Sequence, residues 1–101
     1  MRDTKSKAEQ QFYEALRSLR DEAGKALGRP LNGLRRSMEF REGADAAREV
    51  LRPGKQLDTF ADLLMAGHQD LTVEHLVLKE QWRCLFEAHE LQEAEHRLRN
   101  K

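Results

Sequence analysis

The stretch KSKAEQQFYEALRSLRDEAGKAL, residues 5–27, decides the fold. Within it Ala8, Phe12, Ala15, Leu16, Leu19, Ala23 and Leu27 recur at steps of three and four residues. A period of 3.6 residues gathers those side chains into one stripe, which predicts a long amphipathic helix. The stop follows at once. Gly28 suits the left-handed conformation in which helices end, and Pro30 has no amide N–H with which to continue one.

The rest of the chain is punctuated more tightly. Residues 31–41 carry Leu31, Leu34 and Met38 at helical spacing, and Gly43 ends that run. Residues 44–51 read as a short helix with Asp45 favourably placed near its N-terminus. Pro53-Gly54 makes a turn and pushes Arg52 out of helical geometry. Asp58 or Thr59 is expected to cap a fourth helix holding Phe60, Leu63 and Leu64, which Gly67 ends. Thr72 is a good cap for a fifth, with Leu71 and Leu76 at the spacing of a hydrophobic staple. Trp82, Leu85 and Phe86 follow as its tail or as a short separate turn, and residues 88–99 form the last helix, with Leu91, Ala94 and Leu98 facing inward.

Composition agrees with that pattern. The 101 residues include fifteen Leu and eleven Ala but three Val and no Ile, which disfavours β architectures. The expected fold class is all-α: a compact bundle of about six short helices with a longer N-terminal helix. It is read as one domain spanning residues 1–101, in which residues 1–27 form the long helix and 28–101 the compact helical core. Leu71, Leu76, Val77, Trp82, Leu85 and Phe86 are the expected centre of that core, and Trp82 its most costly residue to truncate.

Lys plus Arg and Asp plus Glu both number 18, so the net charge is zero and bulk charge alone drives no binding. The signs are segregated, however. Residues 1–55 hold thirteen basic and nine acidic residues, and residues 56–101 hold five and nine. The two halves are expected to pack together and partly neutralise each other. Otherwise the basic half meets an acidic partner, with Arg29, Arg35, Arg36 and Arg41 as the candidate phosphate contacts. Glu39 and Glu42 interrupt that run, and no aromatic residues interleave to stack bases. A helix-turn-helix is excluded at residues 46–64, because Thr59–Ala66 contains no Arg, Lys, Asn or Gln to read a base edge.

Few residues suggest chemistry. His89, Glu93 and His96 stand at i, i+4 and i+7, a spacing that can present three ligands to one ion. A di-iron bundle needs the Glu-x-x-His pair twice, and it occurs once, so these three are weak metal candidates and no metal or other cofactor is expected. The lone Cys84 lies in an apolar stretch and reads as a small core residue in a reducing cytosol. No phosphate-binding glycine loop and no nucleophile elbow occur, and no enzyme is expected. No stretch approaches a membrane span and Met1–Lys7 is polar, which points to a cytoplasmic chain.

The stretch Asp70-Leu71-Thr72-Val73-Glu74, Leu76-Val77-Leu78 and Leu85-Phe86, flanked by Phe60, Leu64, Gly67, Trp82, Glu90-Leu91, Ala94 and Arg97-Leu98, resembles a pattern found in small uncharacterised bacterial helical domains. The likeness extends from about residue 28 to residue 98 and leaves out the first helix. It implies a helical fold and a bacterial or phage setting, and it supplies no functional residues. Physics gives the same residues structural roles: Thr72 caps a helix, and Glu74 sits at the positive end of its dipole.

The function expected from these features is that of a non-enzymatic interaction or assembly module. It would self-associate or dock on a larger protein through the seam Phe12, Leu16, Leu19 and Ala23 of the first helix, although the same seam serves equally well to fold back on its own domain. The alternative is a nucleic-acid-associated protein that contacts phosphates through its basic half.

Overall fold

The computed structural model describes residues 3–99, with side chains from Lys7 onward. Six α-helices follow in chain order: α1 (Asp3–Leu27), α2 (Asn32–Phe40), α3 (Asp45–Val50), α4 (Thr59–Met65), α5 (Val73–Val77) and α6 (Ala88–Arg99). Two 3-10 segments, Gln69–Leu71 and Glu80–Leu85, lie before and after α5. No strand occurs among the described residues, so the fold is all-α.

The long first helix ends as its sequence dictates. Gly28 takes φ +73°, the Gly28 amide donates to the Lys25 carbonyl at 3.3 Å, and the Arg29 amide donates to the Gly24 carbonyl at 3.0 Å. These two bonds are the Schellman closure, which satisfies carbonyls that the helix end leaves open. The chain then turns back so that the other elements assemble along α1. Phe12, Leu16 and Ala23 are wholly buried, and they join one core cluster with Leu34, Leu51, Leu63, Val77 and Leu85.

The centre of that cluster is aromatic. Phe12 meets Trp82 edge-on at 5.4 Å between ring centroids and Phe86 at 5.3 Å. Edge-to-face pairs of this kind add roughly 0.5–1.5 kcal/mol each beyond the area they bury. Trp82 and Phe86 were expected at the core centre. Their shared neighbour on α1 could not be read from local pattern. They sit on and just after a separate 3-10 segment, not on an extension of α5.

Local chemistry explains most element ends. Thr72 caps α5: its Oγ1 accepts from the His75 amide at 3.1 Å and donates to the Gln69 carbonyl at 2.8 Å. Asp58 stands at the cap position of α4, but neither Asp58 nor Thr59 caps through its side chain. Thr59 is instead buried. The radius of gyration, 12.8 Å, is that of a compact domain of this length.

Candidate functional site

The seam on α1 is not a free partner-binding surface, which corrects the expectation drawn from the sequence. Phe12, Leu16 and Ala23 are 0% exposed and Leu19 is 7% exposed, all packed within the chain's own core. The physical reason is the brevity of the other helices. None of them buries its apolar face alone, and α1 supplies the long surface against which they close.

Two polar networks hold this arrangement, and pattern reading found neither. Arg97 of α6 and Glu74 of α5 form a buried ion pair, Nη1 to Oε2 2.7 Å, with side chains 4% and 2% exposed. The same guanidinium donates to the Val50 carbonyl at 2.9 Å and the Arg52 carbonyl at 3.0 Å. Its Nε donates to Glu93 Oε2 at 2.8 Å. Arg97 therefore satisfies carbonyls at the C-terminal end of α3 while tying α6 to α5. Burial pushes the Glu74 carboxyl above its ordinary range, and the Arg97 hydrogen bond pulls it only part of the way back. The helix-dipole role expected for Glu74 is thus secondary to its pairing. Nothing in the sequence marked the pairing: Glu74 stands near a helix start, and Arg97 lies in the charged run at residues 93–99.

The second network joins α1 to α3. Glu9 Oε1 accepts from the Ala44 amide at 2.7 Å, and its Oε2 accepts from Arg48 Nη2 at 2.7 Å. Arg48 also donates to the Leu85 carbonyl, from Nη2 at 2.7 Å, pairs with Asp45, and lies over the Phe86 ring at 5.6 Å. Gly43, at φ +57°, lets the backbone pass against the Glu9 carboxylate where a Cβ would collide. One arginine thus fixes three elements, and the charge it carries is neutralised locally.

The basic candidates are not one patch in use. Arg29 is paired with Asp62, and Arg41 lies 3.7 Å from Glu49. Arg35 and Arg36 are exposed and have no acidic partner among the described residues. Arg29–Asp62 does link the basic half to the acidic half. The Glu9–Arg48, Arg41–Glu49 and Glu74–Arg97 pairs each lie within one half, so neutralisation is largely local.

The remaining candidates are dispersed. His89 is exposed on α6 beside Glu87, and Glu93 is engaged by Arg97. His96 also lies on the exposed side of α6. Among the described residues no group of three His, Cys, Asp or Glu side chains is placed to hold an ion. Cys84 is exposed, not a core residue, because the 3-10 segment turns Trp82 and Leu85 inward and Cys84 outward. No helix among the described residues is long and apolar enough to cross a membrane.

What the structure leaves open is a groove of about 580 Å³ between α4 and α6. Phe60, Ala61, Leu64 and Met65 line one side, and Glu93 and His96 line the other. Helix α4, TFADLLM, is apolar almost all round. Phe60 and Leu63 face the core, whereas Ala61 and Met65 face water, with Met65 86% exposed. A helix apolar on both sides is ordinarily covered on both. Phe40, 78% exposed, is the other large apolar side chain left in water among the described residues, and it borders a broader groove of mainly charged lining.

No family model matches the chain, and neither a curated protein nor a solved structure resembles it.

Proposed function

We propose that this chain is a non-enzymatic helical interaction or assembly module, and that its contact surface is the outer face of α4 beside the α4–α6 groove. The observation that carries the reading is the apolar outer side of α4, where Met65 stands 86% exposed at the edge of a groove it does not fill. Exposed apolar surface beside a groove with a polar rim is what contact surfaces present. The α1 seam lends no support, because the core takes it. The test is a photo-activated cross-linking side chain at position 65, in the cells that make the protein. A discrete cross-linked species heavier than the 11.8 kDa chain is expected. Its absence, with the chain folded, overturns the reading.

A second reading is favoured by Arg35 and Arg36, adjacent, exposed and unpaired among the described residues. They suit contact with about two nucleic-acid phosphates, which predicts weak binding with a log–log salt slope near −2. Loss of that binding in the Arg35→Ala, Arg36→Ala double variant would support it. Binding unaffected by salt or by the variant would end it.

A further inference from the structure

We infer that the groove where α1 turns into α2 binds a phosphate-class dianion, free or carried by a small molecule, between Lys25 and Arg35. The inference goes beyond the interaction reading and concerns a different face of the molecule.

The groove is open and measures about 650 Å³, within the range of small-molecule sites. Its lining holds four cations, Arg20, Lys25, Arg29 and Arg35, and one acid, Asp21. Of the basic residues singled out in the sequence, only Arg29 and Arg35 belong to it. Two of the four cations are engaged. Arg20 lies 3.4 Å from Asp21, and Arg29 is paired with Asp62, which approaches from α4. Lys25 and Arg35 are exposed, and neither has an acidic partner among the described residues.

The helix ends do not account for these two. α1 brings the negative end of its dipole to the turn, which favours nearby cations. α2 starts at Asn32 with no acid in its first turn and brings a positive end of similar size. The two half-charges offset each other. After Asp21 and Asp62 are counted, two full positive charges remain on one groove, and they repel each other until an anion enters. A phosphate monoester carries about −1.5 to −2 charges at neutral pH, which matches that excess. Its oxygens accept from an ammonium and a guanidinium at once. Gly24 and Gly28 add no side chain to the groove.

A nucleic-acid strand fits this groove less well, because a strand is held by cations in a track. Here the run stops on both sides. Arg36 lies outside the lining, Arg17 is 3.9 Å from Glu14, and Glu22 and Glu39 are exposed nearby in sequence.

The full chain is titrated with inorganic phosphate and, separately, with a pentose 5-phosphate. Each is taken to about 20 mM at an ionic strength held constant with sodium chloride, and amide shifts are followed by NMR. Saturable shifts confined to residues 20–35 are expected, with a Kd on the order of 1 mM. Tighter binding of the sugar phosphate identifies a small-molecule ligand, and equal binding identifies free phosphate. The Lys25→Ala, Arg35→Ala double variant, altered only at exposed positions, should bind about tenfold more weakly. Arg36→Ala should bind as the natural chain does. Shifts that do not saturate, that fall elsewhere, or that persist unweakened in the double variant overturn the inference. So does a single-stranded oligonucleotide without terminal phosphates that displaces phosphate and depends equally on Arg36, an outcome that belongs to the nucleic-acid reading.

Discussion

At the scale of the residue, the molecule turns on a few charged side chains placed where charge is costly. Glu74 is nearly inaccessible, and Arg97 is its cation. Removing one partner of a buried pair strands the other, so Arg97→Ala is expected to cost about 3–5 kcal/mol in urea unfolding. The pH dependence follows from the raised folded-state pKa of Glu74. The folded chain binds that proton more tightly than the unfolded chain does. The contribution is therefore complete below the ordinary value of 4.5 and is lost as the pH rises through the higher folded value. Glu74→Gln has no such proton. The stability of the natural chain relative to that variant should fall as pH rises from about 4.5, then level off. A difference that grows with pH would contradict the account. Neither network was legible beforehand. Glu74 showed only its position near a helix start, and Arg97 lay beside the expected inward face of Leu91, Ala94 and Leu98. Which charge is buried depends on what crosses above it, and local pattern does not carry that.

At the scale of the element, the sequence was far more informative, because helix ends are written in local chemistry. Gly28, Pro30 and Thr72 stand where the sequence required them, and each of the six helix starts falls within about two residues of the position read from spacing and caps. The exception in kind is the segment Glu80–Leu85, whose apolar residues fit a helix tail as well as a separate 3-10 turn. Cys84 followed that uncertainty: a change of helical type rotates a side chain from core to water. Two glycines separate backbone strain from crowding. A Cβ at Gly28 meets nothing within 4 Å, so Gly28→Ala should cost only the left-handed penalty, roughly 1–2 kcal/mol. Gly43→Ala must also displace the Glu9 carboxylate, so its loss should be clearly the larger. Thermal unfolding of both variants measures the difference, and equal costs would show that Glu9 yields freely.

At the scale of the whole molecule, one core is built on one long helix. An apolar seam of nearly three heptads reads equally well as a dimer seam or as a scaffold, since both need the same side chains at the same spacing. The structure resolves that ambiguity through Phe12, which takes Trp82 and Phe86 edge-on, and through Leu16 and Ala23, which have no exposed surface. The expected division into a helix of residues 1–27 and a core of 28–101 therefore describes the sequence better than the packing, since the two share their apolar cluster. The α1 seam is spent inside the core, so the contact proposed above needs another surface, and the exposed Met65 side of α4 is the one proposed. The most direct test is the circular dichroism and thermal unfolding of a fragment that starts at Gly28, beside the full chain. The account predicts that the fragment loses most of its helical signal and any cooperative transition, because the aromatic centre and the Glu9–Arg48 tie go with α1. A fragment that keeps its helicity and melts cooperatively would place the core without the first helix, and would return the seam to the surface.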